Sequence, residues 1–70
     1  MTFTVKQARC YAGLSQAQMA EKMLISRDVY RNIEAHPERA TIKQAQEIAE
    51  ITGIDINLIF FGLTSTKSRV

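Results

Sequence analysis

Apolar positions in this chain recur at helical spacing, and capping and breaking residues divide them into four or five segments. Val5, Ala8 and Ala12 stand three and four residues apart, which predicts a first helix from about Thr4 to Ala12. Gly13 follows it, a residue suited to the left-handed backbone that stops a helix. Ser15 is a good N-cap for a second helix, Gln16 to about Met23, whose apolar stripe is Met19, Ala20 and Met23. After the short turn Leu24-Ile25, Ser26 opens a third helix, Arg27 to about Ala35, with Tyr30 and Ile33 as its buried pair. His36-Pro37 ends it, because proline restricts the preceding residue and lacks an amide donor. Thr41 caps a fourth helix, Ile42 to about Thr52, with Ile42, Ala45, Ile48 and Ala49 on one face and Gly53 at its end. Asp55 can cap a short fifth helix from Ile56 to Phe60 or Phe61. No alternating strand pattern competes, so the expected fold class is all-α, with residues 1–63 as one domain and a polar tail, 64–70, expected to be disordered.

Size and charge narrow this picture without deciding it. Seventy residues suffice for one small domain, near the lower limit for a self-sufficient core. Cys10 is the single cysteine, so neither an intramolecular disulfide nor a zinc site of paired cysteines can be built. Stability must then come from helix packing, with or without a partner subunit. The longest apolar run, Ile54 to Leu63, is interrupted by Asp55 and Asn57 and is too short to span a bilayer. Met1 to Lys6 lacks the pattern of a signal peptide. The expected setting is therefore a reducing cytoplasm. A net charge of +2 is compatible with nucleic acid but does not require it.

Chemistry enters with the pair of short capped helices joined by a tight turn. Burying Tyr30 and Ile33 leaves Arg27, Asp28, Arg31, Asn32 and Ala35 outward on the third helix. Arginine can make two hydrogen bonds to guanine, asparagine two to adenine, and aspartate can accept one from cytosine. Ala20 is small enough to let the third helix cross the second closely. No Ser/His/Asp or Cys/His constellation and no phosphate-cradling glycine loop is present, so no enzyme, metal, cofactor or small-molecule ligand is expected.

Gly13-Leu14-Ser15-Gln16, Met19-Ala20-Glu21-Lys22, Ile25-Ser26-Arg27 and Ile33-Glu34 resemble the phage-repressor (Cro/cI or Xre-type) helix-turn-helix family. The resemblance continues through Thr41, Ile48-Ala49, Gly53 and the segment Asp55 to Phe61, and so covers Val5 to Phe61. It implies a compact five-helix repressor-like domain, usually a homodimer on a two-fold symmetric DNA operator. Carried onto this chain, Gln16 would bind a phosphate and brace the recognition helix. Arg27, Asp28 and Val29 would face the bases, with Asn32 one turn further on, and Arg9 and Glu34 would form an internal ion pair. The sequence departs from the family pattern at Leu24 and His36, where glycine is common, and at Tyr30, where Ile or Val is usual. The run Tyr30, Glu34, Pro37-Glu38, Thr41 and Phe60-Phe61 resembles a variant common among small regulators of phages and mobile elements of low-GC Gram-positive bacteria.

Each of these residues also has a plainer role. Arg27 and Arg31 suit a solvated face as well as DNA, and Asp28 favours a helix N-terminus through its charge alone. Gln16 and Asn32 could be ordinary exposed amides. Thr41 is foremost a cap, although it and Lys43 could meet a phosphate. Cys10 and His36 read as structural. Leu58, Phe60, Phe61 and Leu63 either complete the core or form a two-fold dimer patch, since two adjacent phenylalanines cannot both point inward from one short helix. The function expected is a sequence-specific, Cro-like repressor. The alternatives are a protein-interaction module (an antirepressor or adaptor) or an antitoxin on the same fold.

Overall fold

The computed structural model describes residues 2–61, with Phe60 described by its backbone alone. Leu63 and the tail 64–70 lie outside the described residues. Four α-helices form the body: α1 (Val5–Tyr11), α2 (Gln16–Met23), α3 (Arg27–Ala35) and α4 (Ile42–Thr52). Two strands of two residues each, β1 (Phe3–Thr4) and β2 (Ile59–Phe60), pair in parallel, Phe3 with Ile59 and Thr4 with Phe60.

Side-chain and backbone hydrogen bonds set the helix limits. Three helices open with the same reciprocal cap. Thr4, Ser15 and Thr41 each accept from the backbone N–H three residues on, and Gln7, Gln18 and Gln44 return a side-chain oxygen to the capping residue's own N–H. The ends of α1 and α2 also share one motif. Gly13 N–H donates to Cys10 and Leu14 N–H to Arg9, just as Leu24 N–H donates to Glu21 and Ile25 N–H to Ala20. Both turns require a left-handed residue, supplied by Gly13 at φ +75° and by Leu24 at φ +61°. The following residues, Leu14 and Ile25, pack partly buried against the core.

That core draws on every helix: Val5 and Ala8 of α1, Met19, Ala20 and Met23 of α2, Tyr30 and Ile33 of α3, and Ala45 and Ile48 of α4, closed by Ile54, Ile59 and Phe61. Ala20, the small residue of the α2 stripe, is buried. Thr52 is buried, and its hydroxyl is satisfied by donating to the Ile48 carbonyl at 2.8 Å.

The five-helix expectation is overturned at its last element. Asp55 does cap the segment, its Oδ1 accepting from Asn57 N–H at 2.8 Å. What it caps is a single 3-10 turn, Ile56–Leu58, after which the chain extends into β2. Only four α-helices are present among the described residues, and the all-α body carries a parallel two-strand clasp. The physical reason lies in Ile59-Phe60-Phe61. These β-branched and aromatic residues suit an extended backbone. As a strand they bury Ile59 and Phe61, two residues apart, and gain backbone pairing with β1. Of the two phenylalanines, Phe61 is a core residue.

Candidate nucleic-acid interface

The candidate recognition face is the exposed side of α3, set by the helix's buried stripe. Tyr30 is fully buried and Ile33 nearly so. Arg27, Asp28, Val29, Arg31 and Asn32 are exposed on the remainder of the helix. Ser26 Oγ accepts from Val29 N–H at 3.1 Å and fixes where the helix begins. Asp28, in the first turn, lies 3.8 Å from Arg31 across one turn of exposed helix surface, a pairing that contributes little stability in water. Val29 is an exposed apolar side chain amid polar neighbours.

Beneath this face lies a hydrogen-bonded hub centred on Glu34. Its Oε2 accepts from Arg9 Nε at 2.6 Å and from the Tyr30 hydroxyl at 2.6 Å, and its Oε1 accepts from Gln16 Nε2 at 3.0 Å. Arg9 also donates from a terminal nitrogen to the Leu14 carbonyl at 2.8 Å. The Glu34 carboxylate thus joins α1, the first residue of α2 and α3, and Arg9 extends the link to the turn after α1. The Glu34 side chain is only 8% exposed and that of Arg9 12%. Burial opposes the charge on Glu34, but the hydrogen bonds from Arg9, Tyr30 and Gln16 outweigh it and hold the carboxyl below its usual range. Burial, reinforced by the bond to Glu34, pushes the Tyr30 phenol well above its usual value. The bond to Glu34 likewise raises Arg9.

Gln16, Asp28, Arg31 and Asn32 line one open surface concavity, together with Lys6, Glu34 and Ala35. Arg27 borders a separate shallow depression with Ala17, Gln18, Ala20, Glu21 and Ile25. Thr41 and Lys43 are exposed at the start of α4 and border neither depression. Thr41 is engaged as a cap, its Oγ1 accepting from Gln44 N–H at 3.0 Å. In the expected dimer patch, Leu58 is 43% exposed whereas Phe61 is buried within its own chain. Leu63 and the Phe60 side chain fall outside the description.

One residue of this region, Lys6, and one side-chain role, that of the Tyr30 hydroxyl, escaped the sequence reading. Lys6 adds a cation to the concavity, and no local sequence signal marks it, because its place beside α3 follows from how α1 packs. Tyr30 contributes a polar group as well as apolar bulk, and the one-turn spacing to Glu34 carried that information.

The helix-turn-helix family matches residues 5–59, and the chain therefore belongs to that family. This is a non-catalytic, DNA-binding family of Xre/Cro type, and the match gives the chain a general sequence-specific DNA-binding regulatory function. Nothing among curated proteins or solved structures matches the chain. Among the described residues, no group of His, Cys, Asp and Glu side chains is arranged to hold a metal ion, and no helix is long and apolar enough to cross a membrane.

Proposed function

We propose that the protein is a small repressor of Cro type that acts as a homodimer on a two-fold symmetric operator. The carrying observation is the exposed row Arg27, Asp28, Val29, Arg31 and Asn32 on a helix whose opposite side is buried and tied through Glu34 to α1 and α2. A recognition helix must present base-reading groups on a rigid support, and this helix has both. Val29 offers an apolar contact for a thymine methyl group, while Arg27 and Asn32 offer paired hydrogen bonds to guanine and adenine. Gln16 and Lys6 border the same concavity and suit the flanking phosphates. Gln18 N–H is taken by the Ser15 cap, which leaves the N–H groups of Gln16 and Ala17 at the start of α2 to suit an anion. Arg31 and Lys43 would add charge along the backbone, and the Thr41 hydroxyl retains a proton to donate.

Repression would follow from occlusion. A dimer that sets two copies of α3 in successive major grooves, about 34 Å apart, covers an overlapping promoter. Leu58, the exposed apolar residue of the described C-terminal patch, is the contact we assign to the second copy. Phe61 supports that patch from within the core.

The test is DNA binding by Arg27→Ala and Asn32→Ala on a duplex selected by the parent protein from randomised sequence. Each substitution should cost about 1–3 kcal/mol on that duplex and relax discrimination at one base position. Parent-like binding to every sequence by both variants would remove α3 as the reading element.

A further inference from the structure

The Tyr30 hydroxyl sits at the far end of a chain of bonds that ends on Gln16. Tyr30 is fully buried, and its hydroxyl lies 2.6 Å from Glu34 Oε2, the oxygen that also takes Arg9 Nε at 2.6 Å. With two short donors on Oε2, the carboxylate plane is set, and Oε1 is turned to receive Gln16 Nε2 at 3.0 Å. Only the amide nitrogen of Gln16 can donate to a carboxylate, so this bond fixes which way round the amide sits. One Nε2 hydrogen is consumed by Glu34, and the second remains for an acceptor in the concavity that Gln16 shares with Lys6, Arg31 and Asn32.

The geometry points to Tyr30 as a positioning residue for DNA binding. Through Glu34 it holds the Gln16 amide in the orientation that offers its free hydrogen to a backbone phosphate. Valine or isoleucine at position 30 could fill the core but could not supply this third donor. Without the hydroxyl, Glu34 keeps its ion pair with Arg9 but loses one of the two restraints on Oε2, and the carboxylate can rotate away from Gln16. The effect belongs to one hydrogen bond from an uncharged donor, so no phosphate charge is gained or lost with it. It should therefore change affinity and leave the salt dependence, which counts neutralised phosphates, as it was. This inference rests on the DNA-reading proposal above.

Two measurements on the full chain test it, using Tyr30→Phe, a change that preserves the ring. The first is a double-substitution cycle with Gln16→Ala on the selected duplex, at a temperature where every variant is folded by circular dichroism. Tyr30→Phe should weaken binding about fivefold in the parent background, the size of one net hydrogen bond. It should have no further effect once Gln16 is alanine, and the salt slope should not change. An equal loss in both backgrounds, or no loss in either, overturns the inference. The second measurement needs no DNA. In the free protein, the two side-chain amide proton signals of Gln16 should be distinct from those of solvent-exposed glutamines, and Tyr30→Phe should move them toward the exposed values. Unmoved signals overturn the inference. Should the parent select no duplex, the DNA-reading proposal falls, and these amide signals alone decide the placement of Gln16.

Discussion

At position 34 a single buried carboxylate accepts three side-chain donors from three different parts of the chain. Removing one member of a buried pair of this kind leaves the other charge uncompensated, a loss of about 3–5 kcal/mol. Glu34→Gln should therefore be among the most destabilising polar substitutions in the protein. Its acid dependence has a definite sign. The folded-state pKa of Glu34 lies below its unfolded value. The stabilisation is thus complete above the ordinary carboxylate pKa, about 4.3, and is lost as pH falls from there through the lower folded value. Urea unfolding of the parent and of Glu34→Gln across pH 7 to 2 should give a gap that is constant at neutral pH and narrows in acid. A gap that stays constant down to pH 2 would mean that Glu34 is not held ionised by these donors. The pairing of Arg9 with Glu34 was legible only through the family resemblance, because twenty-five residues separate the partners. The part played by Tyr30 was hidden for another reason: its spacing from Ile33 marked it as core, and it is core, but its hydroxyl carries a second role.

Among the elements, the turn between α2 and α3 carries a visible cost. Leu24 adopts a left-handed conformation at φ +61° and is 91% exposed. For an L-residue that conformation costs about 1–2 kcal/mol, and this leucine gains no packing in return. The backbone bonds to Glu21 and Ala20 nevertheless form as they do at Gly13, so the turn geometry is kept and the strain is local. Leu24→Gly should relieve that strain while adding freedom to the unfolded chain. A net stabilisation of about 0.5–1 kcal/mol is expected from chemical unfolding, with DNA affinity unchanged. A destabilised variant would show that the exposed leucine makes a contact the monomer does not reveal. Helix limits were legible at this scale because they are local. The capping residues Ser15, Ser26 and Thr41 and the stops Gly13, Pro37 and Gly53 lie within a turn of the boundaries they set. The fifth helix failed for the converse reason. Ile56 to Phe61 is too short for its periodicity to separate helix from strand, and the partner that favours the strand is Phe3-Thr4, at the other end of the chain.

Across the whole molecule, the β1–β2 clasp joins the two ends of the described chain, and Ile59 and Phe61 seal the core that supports α3. The groups proposed to face DNA gather on the opposite requirement, exposure: Lys6 from α1, Gln16 from α2, and Arg31 and Asn32 from α3 border one concavity. Sequence patterning placed the α3 residues because they share one helix face. It did not place Lys6, whose relation to them exists only after α1 packs against α3. A net charge of +2 gives little non-specific attraction, so affinity must depend on where the cations sit. The most direct measurement is the affinity of the parent and of Lys6→Gln for the selected duplex and for a scrambled duplex, from 50 to 200 mM salt. The parent should lose affinity linearly on a log–log plot, with a slope of about −0.9 per phosphate neutralised. It should bind the selected duplex at least about a thousandfold more tightly than the scrambled one, and Lys6→Gln should reduce the slope by about one. Equal affinity for the two duplexes, or affinity indifferent to salt, would contradict the account of a sequence-reading repressor.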